Sequence, residues 1–405
     1  MKPFRFEVTH ALGEAHLVRT GIITTPHGEI RTPAFIPVGT KATVKALTPE
    51  QIRDAGAQAV LANAFHLYLQ PGHELIAKAG GLGRFMHWEG PTFTDSGGFQ
   101  VLSLGSGYKK VISMELETSV NTPRSSRHAF VDDDGVNFKS PRDGSMHRFT
   151  PEISMRIQHD IGADICFAFD ELTSLADPYD YHVEALERTH RWAQRSVDAF
   201  RQLGAEAAGK PYQALFGVLQ GANNEALRRQ TSRHLSGLGF DGFGIGGAIE
   251  KSQLGDIVRW CTEELPVDTP KHLLGISEPD DIFEGIANGA DTFDCVSPAR
   301  VARNGAIYTL DGRYNLTASR FREDFGRLDP DCDCYTCHYY TRAYLHHLLR
   351  AGERLAATLL TYHNEHFILR MVDGIRDSIN DGSFSKFRTQ WLERYYAGKA
   401  AKALS

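Results

Sequence analysis

The chain has 405 residues, 41% hydrophobic and 23% charged, a formal net charge of -6 and six cysteines, an ordinary balance for a soluble globular protein of one large or two smaller units. No run approaches the ~20 apolar residues a membrane span needs. The start, Met1-Lys2-Pro3-Phe4-Arg5-Phe6-Glu7, has no apolar stretch of signal-peptide length, so a cytoplasmic protein without membrane attachment is expected. The net negative charge argues against a generally nucleic-acid-coating surface, although a local cationic patch would be enough for binding.

In chain order, apolar runs bounded by turn signals recur at spacings a helix can fill. The first covers residues 34–38, and Pro37 inside it predicts a bulge. Thr48-Pro49-Glu50-Gln51 then has the form of a capping box with proline at the first helical position. Further runs cover 59–62 and 92–95. The stretch 106–148 is long and mixed, with a hairpin signal at Asp134-Gly135, a turn at Arg142-Asp143-Gly144 and a mobile composition near Arg124-Ser125-Ser126-Arg127. Thr150-Pro151-Glu152 opens a helix, and a run at 165–170 follows. Amphipathic stretches at 181–203 and 224–235 flank the run at 215–220. The last three runs are 242–247, 272–276 and 292–296, with Glu278-Pro279-Asp280 opening a helix before the last.

Continuous rather than alternating apolar runs suit strands buried on both faces. Eight of them alternating with helices predict an α/β chain folded as a (β/α)8 TIM-like barrel. The expected division is a barrel over 1–304 with an insertion at about 106–148, a metal-binding subdomain over 305–370, and a C-terminal helical segment over 371–405 packing on the barrel.

Polar residues fall in register at the ends of these runs. Asp95 ends the third, Asp170 the fourth, Gln220 the fifth and Gly246-Gly247 the sixth, and Asp294 lies in the eighth. A barrel gathers its strand C-termini on one face, where active sites lie. Carboxylates meeting there are costly to desolvate unless they do chemistry or hold a polar ligand. Two across a pocket suit glycosyl transfer. A third beside an amide suits the edge of a flat polar ring, with glycines allowing close backbone approach and Phe99 available to stack.

Cys332-Asp333-Cys334-Tyr335-Thr336-Cys337 places three thiols within six residues, the pattern of a metal site rather than of a disulfide framework. With one histidine they would make a closed tetrahedral zinc site of structural type. His338, His346, His347, His363 and His366 all stand near enough in sequence to be considered.

These residues resemble the tRNA-guanine transglycosylases of bacterial type. The resemblance rests on Gly39-Thr40-Lys41-Ala42-Thr43-Val44-Lys45, Asp95-Ser96-Gly97-Gly98-Phe99-Gln100, Ala168-Phe169-Asp170-Glu171, Gly217-Val218-Leu219-Gln220-Gly221, Gly246-Gly247, and Phe293-Asp294-Cys295-Val296 followed by Pro298 and Arg300. It implies exchange of guanine at the wobble position of tRNAs with a GUN anticodon for a 7-deazaguanine, preQ1 or queuine. In that scheme Asp294 is the nucleophile of a covalent enzyme–ribose intermediate and Asp95 the general acid/base. Asp170, Gln220, Gly247 and Phe99 bind the base. Lys41, Lys45, Arg300 and Arg303 contact tRNA. Cys332, Cys334, Cys337 and His363 hold one structural Zn2+, and the protein is a homodimer. Three positions depart from the bacterial pattern: Leu172, Ala248 and Leu274, all where the side arm of the incoming base would sit, with Ala248 leaving room for the bulkier queuine. Two other readings fit parts of the chain, a non-catalytic tRNA-binding subunit and a transglycosylase acting at another nucleic-acid site.

Overall fold

The computed structural model describes residues 3–101, 129–206 and 210–403. The segment Arg124-Ser125-Ser126-Arg127 lies outside the described residues, as does the first half of the expected insertion.

Eight parallel strands form the centre: β1 (Ala34–Pro37), β2 (Val60–Ala62), β3 (Thr92–Thr94), β4 (Ile165–Phe167), β5 (Ala214–Leu219), β6 (Gly242–Ile245), β7 (Lys271–Leu273) and β8 (Thr292–Cys295). Their order is β1-β8-β7-β6-β5-β4-β3-β2. A parallel bridge from Val38 to Leu61, with the Gly39 N–H donating to the Leu61 carbonyl at 2.7 Å, brings the last strand back to the first. The (β/α)8 barrel is therefore the observed fold. β3 stops immediately before Asp95, β5 before Gln220 and β6 before Gly246-Gly247, while β4 ends at Phe167 and Ala168-Phe169 carry the chain on to Asp170, so these residues lie past the ladder at one rim.

No bulge forms at Pro37. The β8–β1 register runs unbroken from Thr292↔Ala34 to Cys295↔Pro37. Proline is the last residue of its strand, so its missing N–H interrupts no later pair.

The helix signals act as their chemistry dictates. The Thr48 side chain accepts from the Gln51 N–H while the Gln51 side chain accepts from the Thr48 N–H, opening Pro49–Asp54. Thr150 caps Pro151–Ile161 and Asn224 caps Glu225–Ser236. Pro279 opens Pro279–Ala287. The long amphipathic stretch extends over Tyr179–Glu206.

A sheet not anticipated from the sequence, Arg5–Leu12, Val18–Thr25 and Gly28–Thr32, closes the barrel end where the strands begin. Phe4, Ile23 and Ile30 share one buried cluster with Phe93, Phe167 and Phe216. Arg19 holds Asp291, just before β8, through two hydrogen bonds of 2.9 and 2.7 Å. His27 meets Asp164, just before β4, at 2.7 Å. The opposite rim, at the strand C-termini, is left as the mouth.

The described half of the insertion is a three-stranded antiparallel sheet, Ala129–Val131, Val136–Lys139 and Met146–Phe149. Its first turn is clasped by the helix Tyr179–Glu206: Trp192 Nε1 donates to the Asp133 carbonyl at 2.8 Å, and Arg191 pairs with the Asp133 carboxylate at 2.9 Å.

Beyond β8 the short helix Ser297–Arg303 leads to a region built on the helix Arg354–Asn380. That helix carries His363 in its first half and, near its C-terminal end, donates Arg376 Nη2 to the Pro33 carbonyl at 3.0 Å, just before β1. Between them, Asn364 Nδ2 donates to the carbonyls of Pro298 (3.2 Å) and Ala306 (3.0 Å), and its Oδ1 accepts from the Tyr308 N–H (3.2 Å). The final helix, Phe384–Ala403, lays Trp391 against Phe283 with ring centroids 5.6 Å apart. No helix among the described residues is long and apolar enough to cross a membrane.

Candidate active site

Asp95 follows β3 directly. Its Oδ1 accepts the Ala64 N–H at 2.7 Å, and its Oδ2 accepts from the Asn63 and Gln100 side-chain amides. Burial, with a smaller push from the Asp294 charge, raises this carboxyl to about 6 against the pull of those donors. Asp95 and Asp294 are thus close enough to feel each other. A carboxyl with proton affinity near neutrality can both give and take a proton.

Asp170 lies beyond the end of β4 and is 7% exposed. Ser96 Oγ donates to its Oδ1 at 3.1 Å and Gln220 Nε2 to its Oδ2 at 2.7 Å, so the residue after Asp95 joins the two carboxylates into one site. Burial raises Asp170 to about 6 as well, the two donors opposing. The Gln220 Oε1 is buried without a hydrogen-bond partner among the described residues. Such an acceptor is costly unless a ligand donor meets it.

Two glycines shape the slot. Gly247 has φ +104°, and a Cβ there would stand 2.8 Å from Gln220 Oε1. At Gly98 a Cβ would stand 2.8 Å from the Asp170 carbonyl oxygen. Phe99, 39% exposed, follows immediately. Arg228, fully buried, clips the ends of β5 and β6 together. Its Nη1 donates to the carbonyls of Leu219 (3.0 Å) and Gly246 (2.8 Å), and its Nε to that of Ala222 (2.8 Å).

Asp294 points its Oδ1 at two donors from the β7 side, the Gly275 N–H and His272 Nε2, each at 3.0 Å. Of the cationic residues singled out, Lys41 and Lys45 are exposed, while Arg300 and Arg303 are half-buried on the helix Ser297–Arg303. Among the described residues none of the four pairs with a carboxylate. Burial and then the Arg300 charge push Arg303 down, an unfavourable arrangement that an anion would relieve. After burial, the charges of Lys41 and Lys45 push His66 down, which places both lysines beside the rim where β2 ends. Leu274 covers the end of β6: its Cδ1 would lie 3.2 Å from a Cβ at Gly246. Leu172 and Ala248 are half-buried beyond β4 and β6.

Away from this mouth, the Sγ atoms of Cys332, Cys334 and Cys337 lie 3.7, 3.4 and 3.3 Å from His363 Nδ1. All four ligand atoms fall within 4.8 Å of one another, a set that could hold a metal ion. His363 Nε2 stands 2.8 Å from the Tyr308 carbonyl, which fixes its proton there and turns the Nδ1 lone pair toward the thiols. Donor chemistry and tautomer both fit a soft divalent cation, and the set leaves no fifth position for substrate. Of the histidines nearby, His366 pairs with Asp333 at 2.9 Å and His346 with the Leu316 carbonyl at 2.8 Å.

Asp95, Asp170, Gln220, Gly247 and Asp294 therefore gather at one rim, while the cysteines form a separate cluster. The residues that sequence reasoning passed over are those that hold them: Asn63, Ser96, Gln100, Arg228 and His272. Asn63 and Gln100 had a signal, being polar residues just after a strand end and a glycine pair. Arg228 and His272 had none, because each sits inside a helix or strand pattern.

The family model described as queuine tRNA-ribosyltransferase matches residues 15–397. The queuine tRNA-ribosyltransferase of Roseiflexus sp. (strain RS-1) is 47% identical over 386 residues, covering 92% of this chain and 96% of the relative. That of Desulforudis audaxviator (strain MP104C) is 45% identical over 377 residues, covering 92% and 94%. The protein of the same name from Caldanaerobacter subterraneus is 42% identical over 384 residues, covering 94% and 95%.

Proposed function

Because the chain belongs to the queuine tRNA-ribosyltransferase family and is a tRNA-guanine ribosyltransferase of queuosine modification, we propose that it replaces guanine at the wobble position of GUN-anticodon tRNAs through a covalent enzyme–ribose intermediate. The observation that carries this reading is the pair of carboxylates at the barrel mouth, Asp95 raised to about 6 and near enough to Asp294 to sense its charge.

Asp294 Oδ2, which accepts no hydrogen bond among the described residues, attacks C1′ of the target ribose. The bond from C1′ to the guanine nitrogen breaks, the electron pair stays with the base, and Asp95 delivers its proton to the leaving guanine. The 7-deazaguanine then takes guanine's place, gives a ring proton to Asp95, and attacks C1′ as the Asp294 carboxylate departs. One glycosidic bond replaces another, so no nucleoside triphosphate is consumed. Asp170 accepts from the ring N–H and amino donors of the base, and the unpartnered Gln220 Oε1 takes a further donor. Gly247 admits the ring plane and Phe99 stacks on it. The small Ala248 favours queuine over preQ1 as the incoming base, which a direct competition between the two decides.

Lys41, Lys45, Arg300 and Arg303 serve the tRNA phosphates. Cys332, Cys334, Cys337 and His363 hold one structural zinc ion, which, when bound, cross-links the 332–337 loop to the helix Arg354–Asn380. The exposed Tyr339 (65%) and Tyr335 (47%), whose rings meet beside the cysteine loop, offer an aromatic face for self-association as a homodimer. The proposed units are the barrel over 1–304, the metal-binding subdomain over 305–370 and the C-terminal segment over 371–405, the last boundary falling within the continuous helix Arg354–Asn380.

The experiment is exchange of labelled guanine into tRNA. Asp294→Asn is expected to abolish exchange while tRNA binding stays measurable, and retained exchange removes Asp294 as the nucleophile.

A further inference from the structure

We infer that His272 is the positioning residue for the attacking carboxylate, holding Asp294 Oδ1 so that Oδ2 alone faces the ribose. The inference rests on the reading of Asp294 as nucleophile and adds what orients it.

His272 lies on β7 with no solvent exposure and pairs across the ladder with Thr292 of β8. Its ring stands 5.7 Å from that of Phe93 on β3 and 5.3 Å from that of Phe167 on β4, so aromatic packing inside the barrel fixes its plane. In that plane Nδ1 meets Thr292 Oγ1 at 2.8 Å and Nε2 meets Asp294 Oδ1 at 3.0 Å. Thr292 and Asp294 are two apart on one strand and therefore on one face. A single imidazole bridges them. A carboxylate oxygen only accepts, so Nε2 carries a hydrogen toward Asp294. The Thr292 hydroxyl can either donate to or accept from Nδ1, so this contact holds the ring in place and is compatible with a hydrogen on Nε2 directed at Asp294. The Gly275 N–H donates to the same Oδ1 at 3.0 Å. Two donors on one oxygen and none on the other, among the described residues, make the carboxylate asymmetric. Its free oxygen is the nucleophile, and its rotation about the Cβ–Cγ bond is stopped. Such restraint matters because a misplacement of the order of 1 Å can cost about 10²-fold in rate.

The test compares His272→Gln, His272→Asn and His272→Phe in single-turnover formation of the covalent tRNA adduct and in steady-state guanine exchange. Glutamine places an amide N–H near the position of Nε2 and is expected to keep the rate within about tenfold of the parent. Asparagine reaches only the position of Nδ1. Phenylalanine fills the space but donates nothing, and both are expected to lose about 10²-fold in kcat with KM for tRNA unchanged. Thermal melting of each variant establishes that it folds, and the glutamine-over-asparagine order is a readout that general packing damage would not produce. Rates for His272→Phe within threefold of the parent, or asparagine outperforming glutamine, overturn the inference. Asp294→Asn runs in parallel. If it is active, the nucleophile reading itself fails; if it is dead while His272→Phe is unimpaired, only the positioning role fails.

Discussion

Asp170→Asn is expected to make the folded protein more stable at pH 8 while destroying base exchange. The folded state holds the Asp170 proton with an affinity of about 6 instead of the ordinary 3.8, chiefly because the side chain is buried. At ~1.4 kcal/mol for each tenfold change in proton affinity, ionising it costs the fold about 3 kcal/mol at pH 8 and about half of that at pH 5. The sign follows from linkage: the folded chain binds this proton more tightly than the unfolded one. The group's favourable contribution is therefore complete below pH 3.8 and is lost as pH rises through 6. Asparagine never ionises. Its amide can donate to Gln220 Oε1 once the Gln220 amide turns over, and its oxygen can keep the 3.1 Å contact with Ser96. Urea denaturation of parent and variant at pH 5 and pH 8 isolates the titration from any fixed change in hydrogen bonding. The stability gain of the variant should be larger at pH 8 by roughly 1–2 kcal/mol. An equal difference at both pH values would mean that Asp170 ionises normally in the fold, and the argument from burial would be wrong. The lost activity has the same origin: at this position asparagine offers a donor where the base needs an acceptor.

Other outcomes follow from the same geometry. Single-turnover guanine release needs the proton on Asp95, held with an affinity of about 6, so release should slow above pH 6, approaching tenfold per pH unit; a flat profile from pH 6 to 9 would remove its acid role. Arg300→Ala and Arg303→Ala should each weaken tRNA binding and lower the slope of log Kd against log salt by somewhat less than 1, as loss of one phosphate contact requires. Purified protein should carry one equivalent of zinc by elemental analysis, and Cys337→Ser should lower the melting temperature by ~5 °C or more; a metal-free protein with an unchanged melt would refute the site.

The barrel was legible because parallel strands covered on both faces must be apolar without interruption, and those runs end where the polar rim begins. Asp95, Asp170 and Gln220 could be aligned for that reason alone. The N-terminal sheet escaped because its strands alternate: Arg5, Glu7 and Thr9 face water while Phe6 and Val8 are half-buried, a period-two pattern that a search for continuous runs passes over. Pro37 misled because a proline inside an apolar run looks like a break, whereas the strand ends on it. Most of what poises the site was not legible. Two of the three donors to Asp95, Asn63 and the Ala64 N–H, come from the end of another strand, and the clip that Arg228 forms to Leu219, Ala222 and Gly246 uses backbone carbonyls, which carry no side-chain signature.

His363 and Asn364 are neighbours on one helical turn, yet they face different tasks. The first completes the thiol cluster, and the second grips the Pro298 carbonyl four residues past Asp294. An ion held at the thiol cluster, away from the barrel mouth, would thereby anchor the segment on which the reacting carboxylate rides. Stripping it should be felt in the pace of turnover at temperatures where the barrel is still intact, well before any global melt.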